Sequence, residues 1–133
     1  MHRNTFINAP SLLDNSLRIK VPTNISVPLF VAGQLGGTEG YCEAIASGLI
    51  ASKGIACLLT GKEFSPLPTE TAFGALLEYA TSEQTKNYQP MHVNFGIMPP
   101  LEVRIKNKKE RYAAYASRGK EAMERYLKDE ETK

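Results

Sequence analysis

The stretch Gly33-Gln34-Leu35-Gly36-Gly37-Thr38-Glu39-Gly40-Tyr41 is where this chain gathers the residue types best suited to chemistry. Glycines at 33, 36, 37 and 40 remove Cβ atoms where a backbone must turn sharply or lie against a flat ligand. The run follows four apolar residues, Leu29-Phe30-Val31-Ala32, and leads into the small residues between Cys42 and Ala51. That order predicts a short buried strand, a glycine turn and a closely packed helix. Unpaired amides and the positive dipole end at such a helix start suit an anionic or electron-rich ligand. Residues 33–41 are therefore a candidate cofactor site. A strand–helix turn that uses glycine only for close packing fits the same spacing.

A second candidate is electrostatic. Between Arg104 and Arg111, five basic residues (Arg104, Lys106, Lys108, Lys109 and Arg111) stand against one acid, Glu110. A solvated loop or helix start explains most such runs. Cations at a helix N-terminus oppose the dipole, however, and that misfit favours a polyanionic partner such as RNA. Tyr112 and Tyr115 fall on the apolar stripe of this helix and are expected in the core. Cys42 and Cys57 match neither a disulfide framework nor a metal site, so buried, reduced thiols of a cytoplasmic protein are expected.

The totals bound the rest. With 133 residues, 42% hydrophobic and 23% charged, the chain fits one soluble domain, and a net charge of +2 names no partner. Met1 to Thr5 lacks the apolar core of a signal peptide. Ser47, Ser52 and Lys53 interrupt the longest apolar stretch, so no membrane span is expected.

The elements that must position these candidates follow from periodicity. Leu17, Ile19 and Val21 alternate with Arg18 and Lys20, as in a strand with one wet face. Leu29 to Ala32 shows no alternation, as in a parallel strand covered on both faces. A helix is expected from about Thr38 to Gly54. A second, capped by Thr69 or Thr71, should end near Ala80 and a third should cover about 108–128. Residues 89–100 read as a packed, proline-shaped loop. A lone covered strand needs neighbours, so the α/β pattern looks like the closing portion of a larger domain. Residues 1–64 would be its cofactor-binding part and 65–133 a helical region.

Several segments resemble the C-terminal portion of the folate- and FAD-dependent tRNA (uracil-5-)-methyltransferases. They are Met1-His2-Arg3-Asn4-Thr5-Phe6, Pro10-Ser11-Leu12-Leu13-Asp14, Gly33-Gln34, Glu39-Gly40-Tyr41 and Ala46-Ser47-Gly48-Leu49. Gln89-Pro90-Met91, Asn94-Phe95-Gly96, Pro99-Pro100 and the basic run into Arg111-Tyr112 follow in the same order. A related flavoprotein family that modifies the wobble uridine of tRNA shares the glycine turn but not the first segment or Gln89-Pro90-Met91. The resemblance implies the closing portion of a glutathione-reductase-like FAD-binding domain followed by a helical region.

It also implies a chemistry. A methylene group passes from methylenetetrahydrofolate to carbon 5 of a T-loop uracil, FADH2 reduces it to methyl, and NAD(P)H reduces the flavin. By the same resemblance Gly33, Gln34, Gly36, Gly37, Thr38, Glu39, Gly40 and Tyr41 would line the flavin, with amides such as those of Thr38 and Glu39 turned towards it. His2, Arg3 and Asn4 would hold the folate, His2 by stacking. Lys106, Lys108, Lys109 and Arg111 would contact tRNA. The catalytic cysteines and the opening FAD-binding unit of that family lie upstream of this region. The chain is thus expected to hold no catalytic residue and no metal site, to be inactive alone, and to pair with an upstream FAD-binding half rather than with membrane or DNA. A fragment of the related wobble-uridine flavoprotein, a non-enzymatic tRNA-binding module and a structural fragment are the competing readings.

Overall fold

The computed structural model describes residues 6–22 and 24–132. Its elements are α1 (Ala9–Leu12), a 3-10 turn (Gly33–Gly36), α2 (Tyr41–Thr60), α3 (Ala72–Thr81) and α4 (Lys108–Glu131). Among the described residues there is no extended strand, only three isolated bridges.

Those bridges replace the two expected strands. Leu13 pairs with Ile19 and Arg18 with Phe30, both antiparallel. Asp14 fixes the first bend, its Oδ1 accepting from the amides of Ser16 and Arg18 and from the Ser16 hydroxyl. Leu17 follows with a left-handed φ of 65° and is nevertheless buried, which sends Ile19 and Lys20 back beside Leu12 and Leu13. Leu29 and Val31 bond to this bend on one side and remain half-buried. A strand covered on both faces needs a neighbour at each edge, and these residues have one.

The helices come closer to expectation. α2 begins at Tyr41, later than 38, because Gly40 (φ 103°) still lies outside the helix. It runs past Gly54, whose bare Cα lets the helix press on Ser16 and Phe30: a Cβ there would come within 2.9 Å of each. The helix stops at Gly61, which takes the left-handed cap conformation (φ 69°). Thr71 caps α3, its Oγ1 accepting from the Gly74 amide, and Asn107 caps α4 by accepting from the amides of Lys109 and Glu110.

One core joins the two halves of the sequence: Ala9, Leu13, Leu17 and Ile50 pack with Leu77, Ala80 and Tyr88. The long α4 contributes a single buried residue, Ala122. It is fastened through its polar side chains. Tyr126 donates to the Ser65 carbonyl, Arg118 donates to the carbonyls of Pro99 and Pro100, and Lys53 of α2 bonds to Tyr126 and Glu130. Burial works against the Lys53 charge, but the bonds to Glu130 and Tyr126 outweigh it and hold the ammonium above its ordinary value.

Two expectations fail on burial. Cys42 is exposed and Cys57 half-buried, since both lie on sides of α2 that the described chain leaves open. The membrane expectation also needs correction: by length and composition α2 would suffice to cross a bilayer. Its serines do not interrupt it, because Ser47 and Ser52 donate to the helix carbonyls of Ala44 and Gly48.

Gly37 is the tightest point of the fold. It has φ 88°, and a Cβ there would lie 1.4 Å from the Tyr88 oxygen. Gly37→Ala is therefore expected to destabilise the chain by roughly 1–3 kcal/mol, combining backbone strain and overpacking. Urea unfolding of both proteins measures this, and equal midpoints would show that the contact is unimportant.

Candidate functional site

The glycine turn is built from three sides. From α2, the buried Ser47 hydroxyl accepts from the Gly33 amide at 2.7 Å. From the N-terminal side, the Ile7 amide donates to Leu35 O. The third side is residues 88–93, at the start of the stretch expected as a packed, proline-shaped loop. Tyr88 donates to the Gly36 carbonyl at 3.2 Å. The Met91 amide donates to Gly37 O, and the Glu39 amide donates to Met91 O, in a parallel bridge centred on Thr38 and Met91. The Val93 amide then donates to Glu43 Oε1.

This bracing changes which amides are available. The Thr38 amide donates to Gly33 O and that of Glu39 to Met91 O, so neither points at a ligand as expected. The first intrahelical bond of α2 is from Ala44 to Gly40 O. Among the described residues the amides of Tyr41, Cys42 and Glu43 have no acceptor, as the geometry of a helix start requires. The helix end with open amides thus begins three residues later than the expected start at Thr38.

The side chains around it are ordered by charge. Glu43, buried in the first turn, favours the helix start electrostatically. Glu39 is half-buried, and the His92 imidazole lies 3.8 Å from the carboxylates of both Glu39 and Glu43. A side chain on Gly40 would collide with Glu43, its Cβ falling 2.2 Å from Oε2. Gly33, Gln34, Gly36, Gly37, Thr38, Glu39, Gly40 and Tyr41 are hence brought to one place. Gly36, Gly37 and Thr38 are buried there, whereas Gln34 and Tyr41 are exposed. The expected folate residues His2, Arg3 and Asn4 lie outside the described residues.

The residues that sequence reading missed are Ser47, Tyr88, Met91, His92 and Glu43. Glu43 and Ser47 carried a signal, two polar side chains four residues apart on one side of a largely apolar helix. The backbone pairing of Met91 carried none.

The basic run divides as well. Lys106, Lys108 and Lys109 are exposed, but the Arg111 guanidinium donates to the carbonyls of Ile105 and Lys106 and closes the turn before α4. Tyr112, expected in the core, is exposed and stacks on Phe95.

Comparison with known proteins bears out the family expectation. A family model described as glucose inhibited division protein A matches residues 1–63. The methylenetetrahydrofolate–tRNA-(uracil-5-)-methyltransferase TrmFO of Bacillus pumilus is 50% identical over 124 residues, covering 93% of this chain and 28% of the relative. TrmFO of Halalkalibacterium halodurans is 44% identical over 128 residues, covering 96% of this chain and 28% of the relative. TrmFO of Bacillus subtilis is 48% identical over 124 residues, with 93% and 28% covered. The chain spans 28% of the length of the relatives it matches.

Tyr88 offers a test of the bracing. Burial first, then the neighbouring Tyr79 and Glu39, pushes its hydroxyl up to about 12 from 10.0. The folded state therefore holds this proton more tightly than the unfolded chain. The stability it confers is complete below pH 10 and is lost as pH rises to about 12. Unfolding free energy measured across that window should fall less steeply in Tyr88→Phe than in the unchanged chain. Superimposable profiles would mean that Tyr88 is not the buried anchor described.

Proposed function

We propose that this chain, which belongs by sequence with the TrmFO-type methyltransferases along the stretch it spans, forms the flavin- and folate-facing closing part of a cytoplasmic enzyme that methylates carbon 5 of a T-loop uracil in tRNA. When bound, FADH2 would supply the electrons that reduce a methylene group drawn from methylenetetrahydrofolate, with NAD(P)H as their source. This chain's own residues bind and orient. The open amides of Tyr41, Cys42 and Glu43 offer partial positive charge to the electron-rich edge of a flavin. A helix end contributes on the order of 0.3–1 kcal/mol, up to ~2 where partly buried, so it tunes such a group without creating its chemistry. The fit rests on those three amides, which have no acceptor among the described residues, since Glu43 Oε2 fills the space beside Gly40. His2, Arg3 and Asn4 are the proposed folate residues, and Lys106, Lys108 and Lys109 the proposed tRNA contacts. Neither cysteine is proposed as a nucleophile.

The observation that carries this reading is the far side of α2. Ile50, Ala51 and Gly54 are buried against the chain's own core, yet the opposite stripe is apolar too: Tyr41 is 94% exposed, Ile45 68% and Leu59 80%. A helix apolar on all sides is stable when covered on all sides. We propose that the upstream FAD-binding half of the same kind of protein covers this stripe. Protein suits it better than lipid, since one side of α2 is already fixed by Ser47 to the glycine turn and by Lys53 to α4.

Co-production with the upstream part of the Bacillus pumilus relative tests the proposal. The two polypeptides should co-purify with FAD and form 5-methyluridine in tRNA, while this chain alone should form none. Ile45→Asp combined with Leu59→Asp should cut FAD retention at least tenfold while the chain alone keeps its helical circular dichroism. Retention of FAD by the doubly substituted pair, or methylation by the isolated chain, would reject the arrangement.

A further inference from the structure

Phe95 and Tyr112 come from different parts of the chain, and their rings meet with centroids 4.3 Å apart and planes inclined by 19°. Tyr115, one turn further along α4, lies 5.0 Å from Phe95. Large paired rings in a soluble protein usually close off from water, yet Phe95 is 39% exposed and Tyr112 38%. The exposure is built in. Asn94 donates to the His92 carbonyl and accepts from the Gly96 amide, so the loop that carries Phe95 is held at a fixed bend.

The surroundings of these rings are cationic. Lys108 Nζ lies 5.5 Å from the Tyr112 centroid, and Arg111 Cζ 5.8 Å. Arg118 sits 5.1 Å over Tyr115 with its guanidinium donating to Pro99 O and Pro100 O. Arg111 and Arg118 are thus scaffolding that fixes the aromatic cluster, while Lys106, Lys108 and Lys109 stay exposed around it.

We propose that the Phe95–Tyr112 pair is a stacking platform for an unpaired base of an RNA loop, with Lys106, Lys108 and Lys109 holding the flanking phosphates. The inference rests on the tRNA-directed reading above and adds the site at which a base is held. The chemistry selects this ligand. Flat exposed rings reward a flat π-face, and a basic rim rewards a polyanion; an unpaired nucleic-acid strand offers both together. Duplex RNA hides its base faces, and its phosphates would engage the lysines alone. An acidic peptide would need the rim but not the rings.

The test uses fluorescence anisotropy on the full 133-residue chain with two labelled probes, an RNA stem-loop and a fully paired RNA of equal length. Phe95→Ala should weaken stem-loop binding on the order of five- to a hundredfold, leave duplex binding unaltered and keep the salt dependence of both. Phe95→Leu keeps the apolar volume without the π-face and should show the same loss, and Phe95→Trp should restore binding. Lys108→Gln should instead reduce the salt slope on both probes by about 0.7–0.9. Stem-loop binding by Phe95→Leu within twofold of the unchanged chain, or an equal loss on the duplex, overturns the platform and leaves the tRNA reading standing. Failure of the unchanged chain to bind either RNA overturns both.

Discussion

The arrangement depends on the backbone pairing between the glycine turn and residues 88–93. Two amides and two carbonyls are exchanged around Thr38 and Met91, and the Tyr88 hydroxyl adds a bond to Gly36. A turn rich in glycine loses more backbone entropy on ordering than other turns, so it holds one shape only when partners impose it. Ser47 and residues 88–93 are those partners. They also decide which amides remain for a ligand, because each internal bond removes one donor. The bare Cα of Gly37 is the other half of this constraint, leaving the space that the Tyr88 ring fills.

Helix α2 links that turn to everything else. One side carries the Ser47 hydroxyl and the buried Ile50, Ala51 and Gly54, and Lys53 reaches across to α4. Its other side presents Tyr41, Ile45 and Leu59 to solvent. The open amides and the uncovered stripe share one helix, so a partner seated on the stripe would also bound the site at its N-terminus. The relatives it matches are more than three times longer than this chain.

α4 follows a different physical rule. With one buried residue it gains little from apolar burial, and it is held instead by Arg118, Tyr126 and the ion pair with Lys53. Its polar attachment leaves aromatic rings and lysines at the surface together. A helix anchored by its apolar stripe would have buried Tyr112.

Read alone, the residues from Gly33 to Tyr41 marked a turn and a ligand-suited helix start, because glycine spacing and the dipole are local properties. The 3.6-residue period likewise placed α3 and α4, and Thr71 was among the expected caps. Collinear motifs gave the family. Tertiary structure decided what local signals cannot hold. Leu29 to Ala32 reads as a covered strand only if neighbours exist, and the described chain supplies one edge. Arg111 and Lys108 look alike in a basic run until one guanidinium is seen bonded to its own backbone. Met91 pairs with a turn some fifty positions away through groups every residue possesses, so no side chain announced it. Side-chain type determined what each residue can do, and long-range packing determined which of those capacities were already used.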